Sequence, residues 1–537
     1  MKLTFLGATH EVTGSHTLLE WIPGRYLLVD YGMVQGDDEY RTEDLPVPAS
    51  RIEYVLLTHA HIDHSGNLPL LYKQGFRGTI YCTGETMNLC QIMLADSAHI
   101  QESEAISQSK KNQRKGIPSV EPLYTTDDAA ETMKLFQPCA YQTIYQIDEG
   151  LAIRFTDVGH LLGSAAIECF LTENGEERTL VFSGDVGNVN QPILNDPSPV
   201  SAADYVMIES TYGNRLHPAQ EDAMPILLDV LRRTFHRGGS VIIPSFAVGR
   251  TQELLYFFRE IRQKGLLPEY PDFPVYVDSP MANEATAIFL QCDVACLDPQ
   301  TLEIMRQGQN PIWFNGLHTV TEVEESKKLN ENTECKVIIA SGGMCEGGRI
   351  RHHLKHTLWN EKNTILFAGY QANGTLGRII CDGAREVKIY GEEIEVRAET
   401  AILYGVSGHA DQAGLLNWIR GMRQKPRFVF VDHGDDENCE ALVRAIKENF
   451  DLSAAAPWSG SSFDLLRGEW IRLTEPVPQK ERKTVPDPKR KPSESDSLYR
   501  GLVLAAQRLL KAAQGMEGHT NSELREWTAK INAILQK

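Results

Sequence analysis

From the N-terminus to about Ser210, apolar residues come in short runs, and each run stops at a polar cluster. Tyr54-Val55-Leu56-Leu57-Thr58 and Thr179-Leu180-Val181-Phe182-Ser183 have the length and content of buried strands. The stretch reads mostly as strands with short turns. From Thr211 to Arg397 the rhythm changes. Ser240-Val241-Ile242-Ile243-Pro244, Pro274-Val275-Tyr276-Val277 and Lys336-Val337-Ile338-Ile339-Ala340 are each followed by a helical stretch, the first of these starting at Thr251. Strands alternating with helices predict a parallel sheet covered by helices. Strand-like segments resume near Ile394 and run through 400–404 and Phe428–Val431. The pattern predicts a first domain in two pieces, 1–210 and 398–474, around an inserted domain, 211–397. Residues 475–497 hold Pro476, Pro478, Pro486, Pro488 and Pro492 among many charges and read as a linker. Beyond them, 498–537 has the spacing of a small helical tail, for which a homodimer contact is one reading and a solvated appendage the other.

A length of 537 residues fits several domains, since one core seldom grows past about 250–300 residues. Hydrophobic residues at 42% and charged residues at 23% describe an ordinary globular chain. No run of about 18 apolar residues marks a membrane span. The start, Met1-Lys2-Leu3-Thr4-Phe5-Leu6-Gly7, reads as a strand closed by a glycine turn and not as a secretory signal. The ten cysteines include no Cys-x-x-Cys pair, so free thiols in a reducing cytoplasm are expected. The net charge of −19 speaks against a generic nucleic-acid binder with a basic surface. It leaves room for local positive charge and for metal ions that contact phosphate directly.

The strongest chemical signal is Thr58-His59-Ala60-His61-Ile62-Asp63-His64, with three histidines and a carboxylate at a strand end. Imidazole suits zinc, and carboxylate adds charge and can bridge. His59 and His61, two apart, can point to one side of an extended segment. Later strand ends supply His160 in Gly159-His160-Leu161, Asp185 in Ser183-Gly184-Asp185 and His433 in Asp432-His433-Gly434. Taken alone, His160 or His433 reads more readily as a structural histidine, and Asp30 as a turn former.

As an ordered set, Asp30, His59-x-His61-x-Asp63-His64, His160, Asp185 and His433 resembles the metallo-β-lactamase superfamily. The resemblance implies a discontinuous αββα sandwich in the α/β class. It implies one zinc on His59, His61 and His160, a second on Asp63, His64 and His433, and Asp185 between them. Asp30 would orient a ligand. Manganese could substitute for zinc in a site containing carboxylates. Metal ions about 3.5–4 Å apart can share a hydroxide and bind phosphate oxygens.

Further segments resemble the β-CASP subfamily, whose inserted domain caps the metal site. They are Ile208-Glu209-Ser210-Thr211-Tyr212-Gly213, the run from Ile243 to Glu253, Asp278-Ser279-Pro280-Met281-Ala282, Ala340-Ser341-Gly342-Gly343-Met344, the run from Gly369 to Arg378, and Ser407-Gly408-His409-Ala410-Asp411. The resemblance implies a ribonuclease acting on single-stranded RNA through a metal-bound hydroxide and leaving 5′-phosphate and 3′-hydroxyl ends. It is similar to bacterial and archaeal relatives of the messenger-RNA 3′-end-processing endonuclease. The catalytic set implied is Asp63, Glu209 and His409, with His409 bonded to Glu209 and protonating the leaving oxygen. A histidine at 433 accompanies RNA over DNA as substrate in this subfamily. Hydroxyls, amides and cations of Ser245, Arg250, Thr251, Ser279, Ser341 and Arg378 could meet phosphate; the two arginines could instead pair with nearby acids. Competing readings are a thioester or lactone hydrolase on the same metals, a non-catalytic scaffold, and a DNA nuclease. The motifs leave endonuclease and exonuclease action equally open.

Overall fold

The structure is a computed structural model that describes residues 1–36, 39–217, 223–369, 371 and 374–479, together with Arg525 and Thr528. The expected helical tail and most of the linker lie outside the described residues.

Two large sheets face each other. One runs in the order Glu469–Arg472, Ser462–Asp464, Lys2–Gly7, His16–Ile22, Arg25–Val29, Ile52–Leu56, Thr79–Thr83, Phe136–Cys139. The other runs Ser453–Ala455, Phe428–Val431, Tyr205–Ile208, Glu176–Phe182, Ala165–Glu173, Leu151–Asp157, Tyr145–Asp148. Strands from both ends of the sequence share each sheet: Lys2–Gly7 pairs with Ser462–Asp464, and Tyr205–Ile208 with Phe428–Val431. The sandwich is therefore discontinuous, as the pattern of apolar runs predicts. Phe5, Trp21, Phe155, Tyr205, Phe430 and Phe463 fill the space between the sheets. Each such burial contributes about 1.5–3 kcal/mol, which gives the strand ends a rigid base.

Helices cover the outer faces. Gln412–Arg420 and Asp436–Phe450 pack on the second sheet, burying Leu415, Ile419, Leu442 and Ile446. On the first sheet lies Gly84–Gln113, a helix that the reading of this stretch as mostly strands does not anticipate. Most of its buried residues, among them Leu89, Cys90, Met93, Leu94 and Ala98, sit in its first half; from 99 to 113 only Ala105 and Asn112 are buried and the rest is largely polar and exposed. A helix half in solvent carries little apolar periodicity to read.

The inserted domain is a parallel sheet in the order Leu317–Thr319, Val275–Asp278, Val337–Ser341, Val241–Ser245, Thr364–Phe367, Glu399–Ile402. Its strands Val241–Ser245 and Thr364–Phe367 are buried throughout, as a sheet with helices on both faces requires. Here the expected boundary needs correction. Glu399–Ile402 pairs with Thr364–Phe367 as the last strand of the inserted sheet, so the chain returns to the sandwich only after residue 402, not at 398. The strand's own sequence, Glu-Thr-Ala-Ile, is half-polar because it lies at an edge, and nothing in it marks its partner.

Candidate metal centre

Both sandwich sheets deliver polar residues to one place, each just past the C-terminal end of a strand. Asp30 follows Arg25–Val29, and His59 follows Ile52–Leu56. His160 follows Leu151–Asp157, Asp185 follows Glu176–Phe182, Glu209 follows Tyr205–Ile208, and His433 follows Phe428–Val431. A short helix, Ile62–Ser65, turns Asp63 and His64 away from His59 and His61. Gly32 lets that helix close: a Cβ there would stand 1.5 Å from Asp63 O. Asp30 and His433 take left-handed backbone, with φ of 58° and 50°. Strain of this kind persists where surrounding structure over-determines it.

The side chains form two main groups, and a third, Asp185 with Glu209 and His433, overlaps both. His59, His61, His160 and Asp185 bring one ligand atom each within 4.8 Å of one another, and so do Asp63, His64 and His433. His61 Nδ1 lies 3.1 Å from His59 Nε2 and 3.2 Å from His160 Nε2. His64 Nε2 lies 3.1 Å from His433 Nε2. Asp185 stands between the groups. Its Oδ2 is 3.4 Å from His59 Nε2 and 3.5 Å from His160 Nε2, while its Oδ1 is 3.3 Å from His64 Nε2 and 3.5 Å from His433 Nδ1. Buried Oδ1 nonetheless makes no hydrogen bond.

Neighbouring groups set several ring tautomers. His64 Nδ1 donates to Asp30 Oδ2 at 2.7 Å, which turns the lone pair of Nε2 toward His433. Asp30 Oδ1 in turn accepts from Thr58 N at 2.8 Å. His160 Nδ1 donates to Gly408 O at 3.0 Å. Thr211 Oγ1 is 3.2 Å from His433 Nδ1, and Thr58 Oγ1 is 3.1 Å from His59 Nδ1. Thr58, Thr211 and the Gly408 carbonyl lie inside the sequence motifs, yet sequence reasoning gave them no part; only the fold shows which ring each one meets.

Burial keeps His59 and His160 well below the usual imidazole range and lowers His61 as well. Burial acts the same way on His64, but the carboxylates of Asp185 and Asp30 outweigh it and hold this imidazole well above that range. For Asp185 burial works upward, and the imidazoles of His433, His64 and His59 overcome it, so its carboxyl stays well below the ordinary value. Converging lone pairs, ionised carboxylates and an unsatisfied buried oxygen are the requirements of bound cations, and imidazole with carboxylate is a zinc donor set. The residues fit such ions.

His409 stands at the mouth of the cluster, with 22% of its side chain exposed beside a nearly buried Glu209. Its Nδ1 lies 3.1 Å from Glu209 Oε1 and 3.3 Å from Oε2. Burial alone would lower this imidazole; the Glu209 carboxylate overrides it and raises the value to about 9. The backbone of His409 is fixed from the other side, where His217 Nε2 donates to His409 O at 2.9 Å.

Around the cluster, Arg250 pairs with Glu253, whose carboxyl burial pushes up to about 7 despite that arginine. Arg378 pairs with Asp382 at 2.9 Å. The hydroxyls expected against phosphate at Ser245, Thr251 and Ser279 are buried and spent locally: Ser245 Oγ and Thr251 Oγ1 lie 3.0 Å apart, and Ser279 Oγ caps Ala282 N. They shape their loops. Ser341 is half-buried at the end of its strand.

Fold and cluster define a hydrolase of the metallo-β-lactamase type. Residues 11–233 match the metallo-beta-lactamase superfamily, 251–380 the Beta-Casp domain, and 393–457 a Zn-dependent metallo-hydrolase RNA specificity domain. Ribonuclease TTHA0252 of Thermus thermophilus is 38% identical over 83% of this chain and 96% of its own length. Transcription termination factor FttA of Methanosarcina mazei is 34% identical, and that of Pyrococcus abyssi 32% identical, each over 85% of this chain and 70% of the relative. The chain belongs to the β-CASP ribonucleases, the metal-dependent branch of the superfamily with an inserted domain. No helix among the described residues is long and apolar enough to cross a membrane.

Proposed function

We propose that this chain is a two-zinc ribonuclease that hydrolyses phosphodiester bonds of single-stranded RNA in the cytoplasm, with the sandwich, in two pieces, and the inserted domain forming the walls of the cleft. One observation carries the reading: Asp185 offers one oxygen to each histidine group and has a buried oxygen with no hydrogen bond. His59, His61 and His160 would hold one ion, Asp63, His64 and His433 the other, and Asp185 both. Ions held there supply positive charge that makes a water nucleophilic near neutral pH and neutralises the phosphate.

The remaining work falls to the chain. Asp30 locks the His64 ring, and Gly408 O locks that of His160. Asp63, with 20% of its side chain exposed, accepts a hydrogen bond from the attacking water and aims it at phosphorus. With Nδ1 bonded to Glu209, His409 presents Nε2 to the substrate. As a P–O bond to water forms and the P–O3′ bond breaks, Nε2 gives its proton to the departing oxygen. The products are a 3′-hydroxyl and a 5′-phosphate. Arg250 and Arg378, released in part from their acids, and Ser341 meet flanking phosphates.

The test is cleavage of end-labelled single-stranded RNA, with product ends mapped and metal counted in the same preparations. Wild type should carry two zinc ions per chain and leave 5′-phosphate ends. His64→Ala should lose both metal and activity. A wild type that binds two ions but leaves RNA intact would remove the nuclease reading.

A further inference from the structure

The parallel strands of the inserted domain set their C-terminal ends side by side in the order Asp278, Ser341, Ser245, Phe367, Ile402. Open parallel sheets bind ligands along this edge. The loop leaving Ser245 turns one large ring outward there. Phe246 is 38% exposed, while Ser245, Ala247 and Val248 around it are buried. The ring's backbone is pinned: Phe246 O accepts from Thr251 Oγ1 at 2.7 Å and from Ser245 Oγ at 3.1 Å.

The loops on either side approach this ring as bare backbone. A Cβ at Gly343 would meet Cδ2, Cε2 and Cζ of Phe246 at 3.0–3.1 Å, and one at Gly369 would stand 3.6 Å from Cε2. Gln371 Nε2, from a buried residue, donates to Gly343 O at 2.8 Å and to Gly369 O at 3.3 Å, which ties the two loops together. The Phe246 loop also runs on to the metal centre. A Cβ at Gly249 would stand 3.0 Å from Leu161 Cδ1, beside His160, and Arg250 Nη2 lies 3.8 Å from the Cβ position of Gly408, beside His409. Arg250 lies four positions beyond Phe246, a reach of at most about 14 Å.

We infer that Phe246 is a stacking platform for one nucleobase of the RNA, a short distance along the strand from the cleaved phosphate. The inference rests on the ribonuclease reading. An exposed ring on a fixed loop loses little freedom when a base covers it, and every base has a π-face, so the contact is tolerant of sequence. At Gly343 a side chain would crowd the ring itself, with its Cβ at 3.0–3.1 Å.

The test combines the protein with a set of single-stranded RNAs, each abasic at one position, read both by cleavage rate and by anisotropy of the labelled strand. In wild type, removing one particular base should weaken binding about fivefold to a hundredfold, the range of aromatic stacking. In Phe246→Ala that position should cease to matter, while other positions keep their effects. Phe246→Trp should retain the effect, and Phe246→Leu, which keeps apolar packing against Gly343 but offers no π-face, should lose it at an unchanged melting temperature. An abasic profile identical in wild type and Phe246→Ala would overturn the inference even with cleavage intact. A wild type that neither binds nor cuts RNA would overturn it together with the ribonuclease reading.

Discussion

Around Asp185 Oδ2 stand three imidazoles, His59, His61 and His160; around Oδ1 stand two, His64 and His433, with the Asp63 carboxylate beside them. In the first group burial wins, and the rings are neutral lone-pair donors. In the second, burial loses to carboxylates, and His64 and His433 are both raised. Asp30 adds a further negative charge behind His64 alone. Two ions bound as proposed would share one carboxylate donor, Asp185, and be held on different terms. The first would be held by ligand preference, as imidazole nitrogen suits zinc. The second would depend on an excess of negative charge, which holds protons on His64 and His433 when no ion is bound.

The largest effect should come from Asp185, which faces one group with each of its oxygens. Asp185→Asn keeps size and removes the charge. Activity is expected to fall on the order of a thousandfold or more, because the interaction of two ions with one carboxylate is worth several kcal/mol. Metal analysis should show loss of both ions. If only the second ion leaves, the three imidazoles of the first group suffice without Asp185.

Next in size is His409, which belongs to neither group. His409→Ala should slow cleavage about a hundredfold to ten-thousandfold with both ions retained, so rate and metal content separate. The pH dependence has a definite sign. The proton donor must carry its proton, and Glu209 holds that proton on up to about pH 9. Activity should therefore decline as pH rises through that region. Glu209→Gln removes the charge opposing burial, so the decline should move to lower pH. A pH–rate limb unmoved by Glu209→Gln would show that another group supplies the proton.

Asp30→Asn probes the difference between the groups most directly. It should weaken the second ion about tenfold to a hundredfold, the usual cost of losing a carboxylate behind a ligating histidine, and leave the first in place. Competition with a chelator, followed ion by ion, reads this out.

These contrasts were legible in the sequence to unequal degrees. The members of the two groups could be named from the resemblance that their ordered set carries; alone, His160 and His433 read as structural histidines, although both follow apolar strands directly. What supports them could not. Gly408 contributes a carbonyl, which every residue has; only the fold, bringing 408 to His160 across nearly the whole inserted domain, selects that one. Phe246 is similar, since its exposure depends on Gly343 and Gly369 in loops far along the chain. The boundary at 398 failed for a comparable reason: Glu399–Ile402 joins the inserted sheet through backbone pairing that its half-polar sequence does not advertise. The second half of the helix Gly84–Gln113 buries only Ala105 and Asn112, too few to impose an apolar period on its residues.

The smallest effect offers the finest discrimination. Thr211 Oγ1 lies 3.2 Å from His433 Nδ1 and 3.4 Å from His433 O, on a residue held at φ 50°. Thr58 Oγ1 touches both Asp30 oxygens, at 3.1 and 2.9 Å, as well as His59 Nδ1. Valine in place of either keeps shape and removes the hydroxyl. One neutral hydrogen bond contributes about 0.5–1.5 kcal/mol net, so Thr211→Val should weaken the second ion by roughly twofold to tenfold and spare the first. Thr58→Val should disturb both, because its hydroxyl reaches His59 in one group and, through Asp30, His64 in the other. The two variants differ by no charge and almost no volume. If they affect the two ions alike, hydroxyl contacts do not act ring by ring, and the different terms on which the two sites are held would have to come from the carboxylates alone.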